Sequence, residues 1–229
     1  MPSPSGIAHA GLAFANPMSE ATVDAAIAAL PVGREQLVLE TGCGTGEILL
    51  RTLRHHPGSR GLGVDLDADA VAEGRRRAGD LPVRFEVRDA ATVEGSFDAV
   101  INVASSHVHG GFPAALHVCR VLAPVVLYGE GFWQRRPSEE FLAALGGATV
   151  DELSDLDGLR AAIAQAGFDI VHESLAAEVD WAHYEESLAA NAERHGTPET
   201  LDYARAIRQR RAPPGGTDTL GFALFVLRA

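Results

Sequence analysis

Three glycines at alternating positions, Gly42, Gly44 and Gly46, follow a short apolar run that ends at Glu40. Glycines let the backbone turn sharply and let a ligand approach without Cβ atoms in the way. The amides of such a loop, with the N-terminus of the helix after it, suit a carboxylate group. The loop is therefore a candidate binding site for a ligand that carries a carboxylate.

Two aspartates further along stand where a nucleoside would be bound. Asp65 closes a second apolar run, and a carboxylate there can accept hydrogen bonds from both hydroxyls of a ribose. Asp89 and Ala90 follow a third run, where the edge of an adenine would lie. A glycine loop alone is a weak signal. The ordered set of loop, strand-end acid and second acid is more specific and predicts an adenosine at the C-terminal edge of a parallel sheet.

These residues require a frame of alternating strands and helices. The predicted strands span residues 36–40, 62–66, 83–87, 97–103, 125–128, 169–173 and 219–227. The predicted helices span residues 19–30, 46–55, 67–78, 113–122, 138–145, 156–166, 181–195 and 198–210, and the segment Pro213–Gly216 is predicted to break the last of them.

The pattern predicts a single domain over residues 1–229. Residues 1–18 are predicted to be irregular and to form an N-terminal cap segment. Roughly forty residues separate the last two strands, whereas a crossover between parallel strands takes about a dozen or more. Residues 178–216 are therefore interpreted as a helical insertion before the last strand.

Composition excludes several classes of protein. The net charge of -12 disfavours binding to a phosphate backbone, so no nucleic-acid partner is expected. The sequence has no lysine, which excludes pyridoxal enzymes and Walker-type nucleotide hydrolases. We expect a cytoplasmic protein, because the N-terminus does not resemble a signal peptide and no apolar run is long enough to span a membrane.

Five segments together resemble the motifs of the class I S-adenosylmethionine-dependent methyltransferases, over almost the whole chain. They are VLETGCGTG (38–46), GVDLDADAV (63–71), VRFEVRDA (83–90), FDAVINVASSHVHGG (97–111) and RVLAPVVLYGEGFW (120–133). More narrowly, the segments NPMSEATVDA, ASSH and GEGFW resemble a group of small bacterial methyltransferases of mostly unassigned substrate. The resemblance implies an α/β fold, with a Rossmann-like seven-stranded, mostly parallel sheet, an antiparallel last strand and helices on both faces.

The resemblance also implies S-adenosyl-L-methionine as the cofactor and S-adenosyl-L-homocysteine as the product. The predicted cofactor-binding residues are Glu40, Thr41, Gly42, Cys43, Gly44, Gly46, Asp65, Leu66, Asp89, Ala90 and Asn102. Glu40 departs from the family, which usually has aspartate at that position. We expect the longer carboxylate to keep the same role through a water molecule.

The methyl acceptor is predicted to be a small molecule bound near the ends of strands four and five. His107 is a candidate general base, since an unperturbed histidine titrates near neutral pH. Glu130 is a candidate for orienting an amine or hydroxyl, and both residues are predicted to be catalytic. The predicted acceptor-binding residues are Phe14, His109, Trp133, Trp181 and Tyr184. No metal is predicted, because the spacing of the two histidines is not typical of a metal site.

Two alternative functions stay open. A dinucleotide-dependent oxidoreductase needs a glycine three positions after Gly44, where this sequence has Glu47, so the spacing disfavours it. A non-catalytic protein that binds S-adenosylmethionine has the same motifs, since fold does not determine function. The sequence does not distinguish a monomer from a homodimer, nor oxygen, nitrogen, carbon or sulfur as the methylated atom.

Overall fold

The computed structural model describes residues 3–211 and 218–229. The strands are β1 (Leu37–Thr41), β2 (Arg60–Asp65), β3 (Val83–Val87), β4 (Ala99–Val103), β5 (Val125–Trp133), β6 (Asp169–Leu175) and β7 (Leu220–Arg228). The α-helices are α1 (Pro4–His9), α2 (Glu20–Ala28), α3 (Glu47–His55), α4 (Ala68–Ala78), α5 (Phe112–Leu122), α6 (Glu139–Ala144), α7 (Leu156–Gln165), α8 (Glu178–His195) and α9 (Pro198–Arg211). Short 3-10 helices span Ala90–Thr92, Ser106–His109 and Val150–Glu152.

The strands form one seven-stranded sheet in the order β3-β2-β1-β4-β5-β7-β6. Six strands are parallel and the last is antiparallel, which confirms the predicted fold class. Strand β1 pairs with β2 on one side and with β4 on the other, so the chain reverses its direction of progress across the sheet at this point. In parallel α/β sheets, ligands bind in the crevice outside the carboxyl ends of the strands at such a switch point.

Two predicted elements were wrong. Strand β5 was predicted to end at Tyr128 but continues to Trp133, so Glu130 lies within the strand rather than after it. Two glycines in this stretch weaken the strand signal. Residues 1–18 were predicted to be irregular but contain α1, which begins with Pro4 after the capping hydroxyl of Ser3. The predicted break at Pro213–Gly216 lies outside the described residues, and the other predicted boundaries differ by a few residues at most.

The chain folds as two compact units. The first, called the sheet unit, comprises Glu20–Glu130, Gly158–Ser174 and Ala223–Ala229. Its inner strands β1, β4 and β5 are buried on both faces, as expected for parallel strands covered by helices. The fully buried side chains that represent this core include Leu39, Leu49, Ile101, Leu116 and Leu127.

The second, called the helical unit, comprises Met1–Ser19, Gly131–Asp157 and Leu175–Phe222. Within it α1 packs on α8 and α9. The buried residues of this cluster are Ala8, Leu188, Ala189, Ala192, Ala204 and Ile207. The amide of Asn191 donates to the carbonyl oxygens of Ala8 (2.9 Å) and Ala10 (3.0 Å), which secures both the end of α1 and the residue after it. Across residues 3–211 and 218–229, none of the helices has the length and apolar character needed to cross a membrane.

Candidate functional site

The glycine loop after β1 has left-handed backbone at all three glycines, with φ of 63° at Gly42, 51° at Gly44 and 73° at Gly46. A Cβ atom on Gly42 would lie 2.7 Å from the Cβ of Ser105, and one on Gly46 would lie 2.2 Å from the ring of Phe85. These two glycines are therefore required by packing. A Cβ atom on Gly44 would meet nothing within 4 Å, so this glycine borders open space, as a ligand-facing residue would.

Asp65, the last residue of β2, is hydrogen-bonded into the same loop. Its Oδ2 accepts from the amide of Gly44 at 2.7 Å, and its Oδ1 accepts from the amide of Asp67 at 2.9 Å. A carboxylate has about four lone-pair positions, so acceptor capacity is left for ribose hydroxyls. The bond to Gly44 was not predicted from the sequence. It shows that the predicted ribose acid also holds the loop in place.

Glu40 is only 5% exposed at the end of β1. Its Oε2 accepts from the amide of Leu49 at 3.2 Å, so it caps the first turn of α3, a role that the sequence did not reveal. Burial raises the pKa of Glu40 to about 8, the Leu49 amide opposes this rise, and the charges of Asp65 and Glu47 add to it. A cation beside Glu40 would favour its ionised form.

Asn102 on β4 is fully buried and is hydrogen-bonded to the end of β1. Its Nδ2 donates to Thr41 Oγ1 at 2.9 Å, while Thr41 Oγ1 donates to the carbonyl oxygen of Ile101 at 3.4 Å. Ser105 Oγ donates to the carbonyl oxygen of Thr41 at 2.8 Å. The Oδ1 of Asn102 is buried and has no hydrogen-bond partner. Buried polar atoms without partners are uncommon in proteins, so this oxygen suits a donor supplied by a ligand.

The residues predicted to face the adenine lie after β2 and β3. Leu66 is 68% exposed, and Ala90 is buried. Asp89 Oδ1 accepts from the Ala91 amide at 2.9 Å and caps the 3-10 helix that begins at Ala90. The 3-10 helix that carries His109 contacts this one, and the Nε2 of His109 is buried without a partner.

The 3-10 helices after β3 and β4 are in contact, and the charge of Asp89 acts on the ring of His109. Burial lowers the pKa of His109, the charge of Asp89 opposes that change, and the charge of His107 adds to it. The ring is therefore neutral near neutral pH. His109 was predicted to contact the acceptor, and its neighbours are residues that were predicted to contact the adenine.

The two predicted catalytic residues lie on the neighbouring strand β5 and just after strand β4. His107 is exposed in the 3-10 helix after β4, and Glu130 on β5 is 8% exposed. Tyr128 is fully buried, and its hydroxyl has two acceptors for its one proton, Glu130 Oε2 at 3.2 Å and the Phe112 carbonyl oxygen at 3.3 Å. The hydroxyl also hydrogen-bonds with Ser106, the residue before His107. Burial, followed by the charge of Glu130, raises the pKa of Tyr128.

Tyr128 thus connects the loop after β4 with the carboxylate on β5. The prediction from sequence missed it. Its signal was the spacing of two residues from Glu130, which places both side chains on the same face of a strand.

Four predicted acceptor-binding residues belong to the helical unit: Phe14, Trp133, Trp181 and Tyr184. Trp133 is packed within that unit, and its indole donates to the carbonyl oxygen of Val150 at 2.8 Å. The rings of Trp181 and Tyr184 are in edge-to-face contact, and Tyr184 Oη lies 2.7 Å from His9 Nε2. The buried indole nitrogen of Trp181 has no partner. The structure thus brings Trp181 and Tyr184 together, and it does not bring Trp133 into that pair.

No group of three histidine, cysteine, aspartate or glutamate side chains within the described part of the chain could hold a metal ion. What the sheet unit offers is a topological switch point, an open glycine position, a strand-end acid and a buried amide oxygen. These features define a class of α/β protein that binds an adenosine-containing cofactor at the carboxyl edge of its sheet.

Comparison with known proteins identifies the family. The methyltransferase domain family matches residues 38–125. The uncharacterized protein YjhP of Escherichia coli (strain K12) is 32% identical over 158 residues, which cover 65% of this chain and 63% of YjhP. The X-ray structure of YjhP matches with a TM-score of 0.88 over 100% of both chains at 26% identity.

An S-adenosylmethionine-dependent methyltransferase from Thiobacillus denitrificans, solved with S-adenosyl-L-homocysteine, has a TM-score of 0.82 and 27% identity over 100% of this chain and 99% of that one. The fatty-acid O-methyltransferase of Mycolicibacterium smegmatis is 42% identical over 94 residues, or 38% of this chain and 33% of that protein. In sequence, the chain therefore spans between a third and 63% of these two curated relatives. The matched methyltransferase domain and the structural neighbours solved with S-adenosyl-L-homocysteine support a class I S-adenosylmethionine-dependent methyltransferase.

The residues present fit the cofactor of this family. The N-terminus of α3, directly after the glycine loop, suits its carboxylate, since the amides of Cys43, Gly44 and Gly46 donate within the protein. The spare acceptor positions of Asp65 suit its ribose. Exposed Leu66 offers an apolar contact for a base. The partnerless oxygen of Asn102 and the buried carboxyl of Glu40 are acceptors suited to its ammonium group.

Proposed function

We propose that this chain transfers the methyl group of S-adenosyl-L-methionine to a small-molecule acceptor and releases S-adenosyl-L-homocysteine. The observation that carries the proposal is the hydrogen bond between the Asp65 carboxylate and the Gly44 amide. One carboxylate accepts the amide of an open, left-handed glycine at 2.7 Å and so holds the two proposed halves of a cofactor site together.

The proposed cofactor site uses residues at the carboxyl ends of the inner strands. The predicted set from Glu40 to Asn102 lies entirely within the sheet unit. Bound there, S-adenosylmethionine supplies an electrophilic methyl group on its sulfonium. The protein's part is to bind the tail, ribose and base in one orientation, since in-line displacement depends mainly on placement and electrostatics.

The proposed acceptor side contains His107, in the 3-10 helix after β4, and Glu130, within the neighbouring strand β5. His107 is exposed and is proposed as the general base that takes a proton from an acceptor hydroxyl or ammonium. Glu130 would orient that group, and Tyr128 holds the Glu130 carboxylate by a hydrogen bond of 3.2 Å. When the acceptor atom carries a proton, His107 would take it. The bond between the methyl carbon and sulfur would break as the bond between that carbon and the acceptor atom forms.

A small acceptor is supported by charge. The net charge of -12 disfavours a nucleic-acid substrate. Within the helical unit, the rings of Trp181 and Tyr184 are in edge-to-face contact, and aromatic side chains of this kind line many small-molecule sites.

Two measurements test the proposal. Isothermal titration calorimetry of the purified chain with S-adenosylmethionine and with S-adenosylhomocysteine should show binding. Release of S-adenosylhomocysteine should then be followed with a low-molecular-weight metabolite fraction as the source of acceptors. Tight binding without methyl transfer to any fraction would favour the non-catalytic alternative. No binding at millimolar cofactor would refute the proposal.

Once an acceptor is found, His107→Ala should lower turnover at least tenfold and leave the Kd for S-adenosylhomocysteine nearly unchanged. General acid–base catalysis contributes to the rate and not to cofactor affinity. His117→Ala, in α5, is the matched control in the same unit. Equal turnover in both variants would remove His107 from the mechanism.

A further inference from the structure

Asn102 is a buried side chain of the sheet unit that the fold leaves only partly satisfied. It is fully buried between the ends of β1 and β4, and its Oδ1 has no partner. A buried acceptor without a donor costs free energy, and the fold tolerates it where a ligand supplies the donor.

The direction in which this amide points is decided by Thr41. A hydroxyl has one proton, and that of Thr41 goes to the carbonyl oxygen of Ile101 at 3.4 Å. Its lone pairs then face Asn102, and only the Nδ2 side of the amide can donate to them, as it does at 2.9 Å. The Oδ1 side is therefore turned away from β1.

The backbone of Thr41 is held in turn by Ser105, whose hydroxyl donates to the Thr41 carbonyl oxygen at 2.8 Å. Between Asn102 and Ser105, Ala104 adopts a left-handed φ of 55°, and its amide donates to the Gly129 carbonyl oxygen at 2.9 Å. A non-glycine residue in this region is strained and persists where its surroundings hold it. The turn after β4 is thus specified to bring Ser105 back onto β1.

We propose that Thr41 and Ser105 are positioning residues that aim Asn102 Oδ1 at the ammonium group of the cofactor's amino-acid tail. The inference rests on the proposed function. The ammonium is the only nitrogen donor of that tail, and the sulfonium has no proton to donate. The tail's carboxylate is assigned to the N-terminus of α3, directly after the glycine loop. The adenine amino group belongs on the other side, beyond β3, where Asp89 lies.

The test compares two ligands that differ in the tail. S-adenosylhomocysteine carries the ammonium, and 5′-methylthioadenosine has the same nucleoside and sulfur without the amino-acid tail. Their two dissociation constants, measured by calorimetry, define a preference ratio for each variant. Asn102→Ala should reduce this ratio about tenfold or more, because it removes a hydrogen bond to a charged group. The affinity for methylthioadenosine should stay the same.

Thr41→Val removes the hydroxyl at nearly constant volume and should reduce the ratio about threefold, as the amide is no longer held in one orientation. Thr41→Ser should restore it. Thr52→Val is the matched control, since Thr52 is also buried in this unit, with its hydroxyl bonded to the carbonyl oxygen of Ile48 within α3. Thermal melts identify variants that fail to fold. If Thr41→Val does not fold, Ser105→Ala tests the same role and should also reduce the ratio, because it removes the hydroxyl that holds the Thr41 carbonyl oxygen.

An unchanged ratio in Asn102→Ala or Thr41→Val would overturn this inference, as would an equal loss for both ligands. If the wild-type chain bound neither ligand, the proposed function itself would fail and this inference with it. Binding of S-adenosylhomocysteine by the wild type, with the ratio insensitive to Thr41, leaves the proposed function standing and refutes only the positioning role.

Discussion

Replacing Glu40 by glutamine tests the electrostatics of the cofactor loop without any ligand. The carboxyl group is buried at the end of β1, and its pKa rises from 4.5 to about 8, first through burial and then through the charges of Asp65 and Glu47. Glutamine has the same shape and keeps an oxygen for the amide of Leu49, which Glu40 Oε2 accepts at 3.2 Å. The substitution therefore removes the titration and retains the packing.

The sign and size of the effect follow from linkage. Between pH 4.5 and about 8, the folded chain holds a proton at Glu40 that the unfolded chain has lost. The free energy of unfolding therefore falls as pH rises through this window, by about 1.4 kcal/mol per pH unit. Between pH 5 and pH 9 the contribution of this group falls by about 4 kcal/mol.

Urea denaturation of wild type and Glu40→Gln at pH 5, 7 and 9 measures this difference. The stability of the variant relative to wild type should increase by about 4 kcal/mol from pH 5 to pH 9, with most of the change complete by pH 8. Glu73→Gln serves as control, because Glu73 is exposed and Arg76 holds its pKa below the ordinary value. The free energy of unfolding of Glu73→Gln relative to wild type should not increase as pH rises.

A difference in the free energy of unfolding between Glu40→Gln and wild type that stays constant from pH 5 to pH 9 would refute the reasoning. It would mean that Glu40 is ionised in the folded chain at low pH, stabilised by more than the Leu49 amide. A gap that narrows with rising pH would contradict the sign of the linkage as well.

Three further predictions concern the same loop. Asp65→Ala should weaken S-adenosylhomocysteine binding about 100-fold in calorimetry, because two hydrogen bonds from ribose hydroxyls to a charged group are lost; an unaltered Kd would mean that the ribose lies elsewhere. Gly46→Ala should destabilise the chain by about 2–4 kcal/mol in urea, since its Cβ would lie 2.2 Å from the Phe85 ring and its φ is left-handed. Gly44→Ala should destabilise the chain by only about 1 kcal/mol, because its Cβ would meet no protein atom within 4 Å. The same Cβ should abolish cofactor binding, because it would occupy the space proposed for the cofactor; normal binding by this variant would show that the cofactor does not approach Gly44.

Much of the fold was predictable because local signals agree with the tertiary structure. Apolar runs with helical stretches between them predicted all seven strands, and the predicted span of β3 is the observed one, Val83–Val87. Where local signals were weak, the prediction failed. The glycines of β5 suggested a loop after Tyr128, and α1 is a single short helix whose Ala8 becomes buried only against α8 and α9.

The sequence by itself determined which residues stand at the ends of strands, and so the glycine loop, Asp65 and the family. It could do so because strand ends and tight turns are recorded in residue types close together along the chain. Only the tertiary structure decided what those residues do to one another. Asp65 holds the amide of Gly44, Thr41 turns the amide of Asn102, and Tyr128 bonds Glu130. The first two of these contacts join residues on different strands or loops. The third lies within β5, which the prediction from sequence ended at Tyr128. Side-chain direction, burial and pKa depend on neighbours that only the folded sheet brings within hydrogen-bonding distance.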